Sequence, residues 1–242
     1  MNNLLDNLTP VVKNLLIINI ICFIGSIIFE PANDLFGVYY PDSPFFRIWQ
    51  PITYMFMHGG FTHIFFNMFA LVMFGPIIER MFGSKRFLNY YLICALGALV
   101  LQYGVQAYEV NSIMGTPLAK NELMSFTDVY NNKGYIPNNP NLYSNDAVTT
   151  IASIYSTPMV GASGAIFGLL LAFAFFFPNM PLYFMFIPVP IKAKYFVGAY
   201  IVIEIYLGFN NSGSSIAHLA HVGGALFGYL LIKIWNIKRG YY

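Results

Sequence analysis

The stretch IAHLAHVGGALFGYLLIKIWN, residues 216–236, decides how this chain folds. Its length and apolar character suit a helix that crosses a lipid bilayer, because one span takes about 20 residues. Gly224 and Gly228 are spaced four apart, so they share a face on which a second helix can approach closely. His218 and His221 lie near its start, and polar side chains at membrane depth are costly and usually functional. The stretch therefore predicts a tightly packed membrane helix with reactive side chains at one end.

The rest of the chain has the same apolar character. Of its 242 residues, 57% are hydrophobic and only 9% are charged, and the mean hydropathy is +0.61. So few charges cannot cover the surface of a soluble globule of this size. The formal net charge of +2 gives no electrostatic support for a nucleic-acid partner. Cys22 and Cys94 both fall in apolar runs, which predicts buried structural thiols. The composition predicts an integral membrane protein whose surroundings are the lipid bilayer.

Six stretches approach the length of a span, which predicts an all-α bundle of six transmembrane helices in a single domain over residues 1–242. The predicted spans are 11–30, 57–78, 87–107, 161–177, 195–209 and 216–236. The first is expected to remain as an uncleaved anchor, because no short signal sequence with a cleavage site precedes it. Segment 178–192 is broken by four prolines and is expected to be an interfacial connection. The long polar segment 109–158 predicts an outer loop that is a lid, a disordered segment, or a small cap with its own helix.

The basic residues predict the orientation of the bundle. With both termini in the cytoplasm, nine of the twelve lie at that side: Lys13, Arg80, Lys85, Arg86, Lys192, Lys194, Lys233, Lys238 and Arg239. This distribution satisfies the positive-inside rule. The starts of the second, fourth and sixth spans then share the outer face. A bacterial plasma membrane is the simplest expectation for the location.

The segment GASGAIFG, residues 161–168, opens the fourth predicted span. Gly161 permits a sharp turn, and Ser163 falls on the first helical turn, where backbone N–H groups have no partner within the helix. Such free donors suit an oxyanion that forms during acyl transfer. Gly164 and Gly168 form a second small-residue face. Taken alone, the segment is more typical of a structural turn with a packing face than of a catalytic site.

Histidines complete the pattern. His221 lies one turn before the glycine face of its helix, so close packing of the two glycine faces would bring it to Ser163. His218 is the rival base and is expected to be a supporting residue. In HGGFTHIFFN, His63 and Asn67 are spaced i, i+4 and both can donate hydrogen bonds to an anionic oxygen. His58 is expected to anchor the loop.

The motifs HxxxxHxxxN, GxSG and HxxGxxxG, on alternate spans and in this order, resemble those of the rhomboid family of intramembrane serine proteases. The resemblance covers the chain from about Val11 to Trp235. It implies that Ser163 is the nucleophile and His221 the general base, a dyad without a carboxylate. It also implies an oxyanion hole formed by His63, Asn67 and the Ser163 N–H, with Gly161, Gly224 and Gly228 in support and no cofactor or metal.

Two positions need separate expectations. Many rhomboids have a tyrosine that stacks on the catalytic imidazole, and Phe167 stands at that position here as an apolar wall. Glu204 is an acid inside the fifth predicted span without an evident partner. It is expected to make an internal structural hydrogen bond rather than to act in catalysis.

The expected function is hydrolysis of a peptide bond in or near the transmembrane segment of a single-span membrane protein, through an acyl-enzyme. A catalytically inactive chaperone or degradation adaptor is the first alternative, although such relatives typically lack the serine or the histidine. A metalloenzyme is the second, disfavoured because no acid lies beside either histidine cluster in the sequence. A transporter is the third, disfavoured because the chain has no internal repeat.

Overall fold

A computed structural model of the chain describes residues 8–127, 133–184, 187–210 and 215–237. This part of the chain is mostly helical and contains two small antiparallel hairpins. The helices are α1 (Pro10–Ile28), α2 (Ala32–Phe36), α3 (Gln50–Thr53), α4 (Phe61–Phe82), α5 (Ser84–Met114), α6 (Asn145–Ser156), α7 (Ser163–Phe176), α8 (Ala193–Asn210) and α9 (Ser215–Ile234). The strands are β1 (Leu123–Thr127), β2 (Lys133–Pro137), β3 (Pro181–Phe184) and β4 (Ile187–Lys192). Lys238 and Arg239 lie outside the described residues.

A helix occupies each of the six predicted span positions: α1, α4, α5, α7, α8 and α9. Helices α1, α4 and α5 are long and apolar enough to cross a membrane, and α7 is a shorter apolar helix, as is α9 from His218 onwards. The prediction of an all-α membrane bundle is therefore confirmed. Helices α5, α7 and α9 pack mutually at the centre, with α4 against α7, α1 against α4 and α8 against α9.

Close packing at the centre depends on glycine. A Cβ on Gly224 would overlap the carbonyl group of Gly164, so the backbones of α7 and α9 are in direct contact there. One turn further along, a Cβ on Gly228 would lie 3.1 Å from the Gly168 Cα. Because neither helix has a side chain at these positions, their axes can approach closely, as small-residue faces permit in membranes.

The prediction for the two cysteines was half right. Cys94 on α5 is fully buried and its Sγ would contact a Cβ on Gly168. Cys22 is only partly buried, because α1 packs on the bundle along a narrow face and leaves most of its apolar residues exposed. Both thiols are free.

The second predicted span begins later than its apolar run. Residues 50–56 form α3 and a 3₁₀ turn, and α4 starts at Phe61 after Gly60, whose φ of 164° is extended. His58 therefore lies in the connection before the helix. The predicted span began at Met57, because the apolar run 54–57 lies just before the His58-Gly59-Gly60 segment that precedes the helix.

The third predicted span ends later than expected. Helix α5 continues past residue 107 to Met114 and stops where Gly115 adopts a left-handed conformation with φ of 75°. The extension is polar on the outside but buries Val110 completely. Part of the predicted outer loop 109–158 is therefore helix, stabilised by the structure that follows it.

Of the three expectations for that loop, the structure has the cap. We call β1, β2 and α6 the cap. With the end of α5 they enclose a small second core, whose buried members include Tyr40, Val110, Ala119, Ile151, Ile154 and Tyr155. Ser144 caps α6 by accepting a hydrogen bond from the Ala147 N–H at 3.2 Å. The end of the bundle that carries these elements is called the cap end below.

The proline-rich segment 178–192 contains the hairpin of β3 and β4. A two-stranded hairpin tolerates proline because each strand has a free edge that needs no N–H donor. It connects α7 to α8 at the end of the bundle opposite the cap.

That opposite end is held by Glu79 near the end of α4. Its carboxylate accepts hydrogen bonds from the Thr9 hydroxyl at 2.5 Å, the Val12 N–H at 2.9 Å and the Ser84 hydroxyl at 2.7 Å. It also accepts from the Val11 N–H at 3.1 Å. The starts of α1 and α5 are therefore both bound by one side chain, which satisfies N–H groups that a helix start leaves free.

Candidate active site

Ser163 is the first residue of α7 and lies at the cap end of the bundle. The turn before it depends on Gly161, whose φ of 130° is unfavourable for any other residue type. The Gly161 N–H donates to the Tyr54 carbonyl at 2.9 Å, which ties this turn to the segment before α4. The sequence prediction that Ser163 begins a helix is confirmed.

Ser163 and His221 are brought together by the glycine contact between α7 and α9. The Ser163 Oγ lies 2.9 Å from the His221 Nε2, a normal hydrogen-bond distance. The two residues are 58 positions apart in the chain. A serine hydroxyl bonded to an imidazole nitrogen is the arrangement in which the imidazole can remove the hydroxyl proton.

Phe167 supplies the apolar wall beside the imidazole. Its ring is stacked on that of His221 with centroids 4.4 Å apart and only 6° between the planes. On its other side Phe167 contacts the ring of Tyr200 at a centroid distance of 4.7 Å. The His221 ring is therefore held in one plane, although position 167 lacks the tyrosine that is common in the family that the sequence motifs resemble.

His63 and Asn67 lie one turn apart on α4. The His63 Nδ1 accepts from the Gly59 N–H at 3.4 Å, which leaves the proton of a neutral ring on Nε2. A Cβ on Gly161 would lie 2.8 Å from that Nε2, so the His63 ring borders the turn before Ser163. Asn67 is buried, and its Nδ2 has no hydrogen-bond partner among the described residues. Both residues thus offer N–H donors for which the described residues supply no acceptor.

His58 packs behind this pair. It is almost completely buried, and its ring meets that of His63 edge to face with centroids 5.1 Å apart. Burial, with a smaller effect from His63, lowers the pKa of His58 to about 4. Its carbonyl accepts from the Asn33 Nδ2 at 3.4 Å. The neutral ring suits the loop-anchoring role expected for His58, which stays a prediction.

Glu204 on α8 lies directly against the histidines of α9. Its Oε2 is 2.9 Å from the His221 Nδ1 and 2.8 Å from the His218 Nδ1. The expectation of an internal hydrogen bond is right, but Glu204 does not lie apart from the site. The expected dyad without a carboxylate is therefore incomplete as a description of this geometry. Sequence reasoning missed the contact because α8 and α9 are separate elements whose register no local pattern reveals.

This contact also removes one argument against a metal. The sequence places no acid beside either histidine cluster, yet the fold brings the Glu204 carboxylate to both His218 and His221. The three groups offer one ligand atom each within 4.8 Å of one another, close enough to hold a metal ion. The hydrogen bonds among them account for the same atoms without a metal.

The fold and this site define an integral membrane protein, a helical bundle with a serine and a histidine hydrogen-bonded at one end. A comparison with family models matches the rhomboid domain to residues 46–236. The chain belongs to the rhomboid family, which includes proteases that act within the bilayer on membrane proteins.

Curated proteins that are similar to this chain also carry rhomboid names. The chain is 26% identical to "Rhomboid protease AarA" of Providencia stuartii over 235 residues, which cover 90% of this chain and 69% of that protein. It is 31% identical to "RHOMBOID-like protein 12, mitochondrial" of Arabidopsis thaliana over 180 residues, 74% of this chain and 44% of the relative. It is 25% identical to "Rhomboid protease GluP" of Bacillus subtilis over 192 residues, 79% of this chain and 27% of the relative. The chain thus spans less than half the length of two of these relatives.

Proposed function

We propose that this chain is an intramembrane serine endopeptidase in which Ser163 is the nucleophile and His221 the general base. The observation that carries the proposal is the 2.9 Å contact between the Ser163 Oγ and the His221 Nε2. Membership of a protease family supports it, as does the stacked, oriented imidazole.

The reaction proceeds through an acyl-enzyme. The Ser163 Oγ attacks the scissile carbonyl carbon while the His221 Nε2 takes the hydroxyl proton. The Nε2 then gives that proton to the leaving amine as the carbon–nitrogen bond breaks. A water molecule repeats the sequence on the acyl-enzyme and releases the second product. Ser163 and His221 return to their starting protonation states.

The oxyanion hole is formed by His63, Asn67 and the Ser163 N–H. The Ser163 amide is at the start of α7, where no carbonyl of the helix accepts from it. The unpartnered Nδ2 of Asn67 and the protonated Nε2 of His63 supply the side-chain donors. Donors that are already in place when the charge develops contribute the largest part of catalysis in acyl transfer.

The substrate is a single-span membrane protein. Its helix must unwind locally to present a carbonyl, because helical carbonyls are already hydrogen-bonded. Both termini of the enzyme lie in the cytoplasm, so the cap end and the site are at the outer leaflet. A bacterial plasma membrane is the proposed location, although several relatives are mitochondrial proteins.

The experiment uses purified protein in lipid vesicles with a single-span reporter and a serine-directed phosphonate probe. Native protein should cleave the reporter and take up the probe. Ser163→Ala should lose both, because no other hydroxyl is bonded to His221 among the described residues. Ser112→Ala is the matched control, since Ser112 is exposed on α5 and its hydroxyl donates to the nearby Glu109 carbonyl. It should behave as native.

Probe labelling that persists in Ser163→Ala would contradict the assignment of the nucleophile. Folded native protein that neither cleaves reporters nor takes up the probe would favour the inactive adaptor.

A further inference from the structure

Glu204 is a buried carboxylate that the chemistry above does not use. It is 4% exposed and lies within α8, a helix at membrane depth. A carboxylate at such a position is costly unless it is well hydrogen-bonded. Its partners here are the Nδ1 atoms of His218 and His221, at 2.8 and 2.9 Å from the same oxygen.

The hydrogen bond with Glu204 decides which nitrogen of His221 carries the proton. An ionised carboxylate only accepts, so the His221 Nδ1 must be the donor. A neutral imidazole has a single ring proton, which leaves the Nε2 with a free lone pair. That lone pair faces the Ser163 Oγ at 2.9 Å. This is the tautomer that can accept the hydroxyl proton.

We propose that Glu204 is a positioning residue that completes a Ser163–His221–Glu204 triad. It holds His221 in the reactive tautomer and stabilises the imidazolium that forms when Ser163 attacks. The proton from the Ser163 hydroxyl resides on the His221 Nε2 and passes to the leaving amine. The Nδ1 proton stays on His221 throughout, and Glu204 stays ionised, as in triads whose acid does not take up the proton. This inference rests on the proposed function.

Packing on α8 and α9 supports this geometry independently of the hydrogen bonds. A Cβ on Gly208 would lie 2.7 Å from the Leu219 Cγ, so the two helices touch one turn beyond Glu204. On the other side of the site, Phe167 is stacked flat on the His221 ring. The imidazole is therefore held through one face and through both nitrogens.

His218 fixes the carboxylate itself. Because its Nδ1 donates to the same oxygen as His221, Glu204 cannot turn away without losing two hydrogen bonds. His218 thus orients Glu204, which in turn orients His221. His218 lies about one helical turn before His221 on α9, and this displacement keeps its ring out of direct contact with the nucleophile.

A metal ion at the same three groups would exclude the triad. The metal would need the lone pair of the His221 Nδ1, and the ring proton would then move to Nε2. An Nε2 that carries a proton cannot accept one from Ser163. Metal binding and the triad are therefore mutually exclusive uses of these atoms, and treatment with a chelator distinguishes them.

The test is Glu204→Gln, measured as reporter cleavage in vesicles. The amide has nearly the shape of the carboxylate but lacks the charge and can donate to Nδ1, which favours the unreactive tautomer. We expect kcat to fall about 10²- to 10⁴-fold, as when the acid of a triad becomes an amide, with KM changed less than about twofold because binding groups are intact. Glu204→Asp keeps the charge on a shorter side chain and should recover part of kcat.

Glu79→Gln is the matched control, the same change at a second carboxylate that is buried among the described residues. It breaks hydrogen bonds at the opposite end, so it should lower the melting temperature and leave kcat unchanged. ¹⁵N NMR of the histidines in Ser163→Ala protein gives a readout without activity. The His221 Nδ1 should carry the proton, and Glu204→Gln should remove that preference.

Three results would overturn the triad, and the first of them leaves both Ser163 and His221 in their proposed roles. One is Glu204→Gln protein with native kcat when Ser163→Ala is inactive. Another is an Nε2-protonated His221 in the native site. The third is loss of cleavage on treatment with EDTA, which would assign the three groups to a metal. Activity in Ser163→Ala would instead refute the proposed function itself.

Discussion

Buried polar residues of this chain differ in whether their hydrogen bonds are complete. Glu79 accepts four hydrogen bonds from the described residues and stabilises the starts of α1 and α5. Asn67 is nearly as well buried but its Nδ2 donates to none of them. A buried N–H donor without an acceptor lowers the stability of the protein in the absence of substrate. Such a cost is understandable at a position that we propose binds a transient negative charge.

Replacement of Asn67 tests this interpretation. We expect Asn67→Ala to lower kcat about 10²- to 10³-fold, the usual loss for one oxyanion donor. The melting temperature should change little, because the Nδ2 forms no bond that holds the described structure together. Reporter cleavage and thermal unfolding in the same detergent measure both. Asn19→Ala is the control, since Asn19 is buried on α1 and donates to the Leu15 carbonyl at 2.7 Å. A native kcat in Asn67→Ala would remove Asn67 from the oxyanion hole.

Residue identity made part of the site predictable. Ser163, His221, His63 and Asn67 occur in short local patterns at helix starts, so the sequence alone indicates them. Glu204 has no such pattern, because its meaning depends on a neighbour 17 positions away on another helix.

At the level of the elements, the contact between α7 and α9 sets the distance between Ser163 and His221. The carbonyl of Gly164, next to the nucleophile, contacts Gly224, which is three residues after the base. Helix association in lipid depends on packing rather than on water exclusion, so a side chain in this contact acts directly on the distance between the helices.

Gly224→Ala should therefore separate the two helices at the site. We expect a loss of about 1–3 kcal/mol in stability from overpacking. Phosphonate labelling of Ser163 should slow about 10²-fold, because a misplacement of about 1 Å costs that much in rate. Labelling kinetics and thermal unfolding give the two values.

The control for this change is Gly198→Ala on α8. No atom lies within 4 Å of a Cβ at that position, so the alanine should be neutral or stabilise α8 slightly. Equal effects of Gly198→Ala and Gly224→Ala would show that helix propensity, and not the interhelical contact, controls the site.

At the level of the whole molecule, the cap is tied to the bundle by a few polar contacts. The Tyr155 hydroxyl donates to Asp42 at 2.8 Å and accepts from the Ala119 N–H at 3.2 Å. Asp42 also accepts from the Lys120 N–H at 2.8 Å. The Ser43 hydroxyl also donates to the Tyr155 carbonyl at 2.6 Å, so several hydrogen bonds connect the cap to the residues before α4.

Tyr155→Phe should loosen the cap without unfolding the bundle. It leaves the fully buried Ala119 N–H without its acceptor, at a cost of about 1–3 kcal/mol. Hydrogen–deuterium exchange should quicken in α6 and in β1 and β2, while α5 and α7 keep their protection. Tyr108→Phe, at a hydroxyl on the exposed side of α5, should leave exchange unchanged. Uniform acceleration across the whole chain would mean that the cap and bundle unfold as one unit.

Hydropathy and glycine spacing were enough to predict where the membrane helices lie and which of their faces carry small residues. Both are local properties, since hydropathy and glycine spacing act within one segment. The sequence also indicated that Ser163, His221, His63 and Asn67 lie at one end of the bundle, where we propose that they form the active site. Segment boundaries were less accurate, as the start of α4 and the end of α5 show, because neighbouring residues there are apolar or find partners elsewhere in the fold.

The fold of the cap and the position of Glu204 could be known only from the packing of the whole molecule. Both depend on contacts between segments far apart in the chain, and no periodicity within a segment encodes them. The cap forms because α5, α6 and the loop before α3 share one small core. Glu204 meets the histidines because Gly208 lets α8 contact α9. Long-range packing thus placed a carboxylate beside the histidine that the short motifs had predicted to be the base.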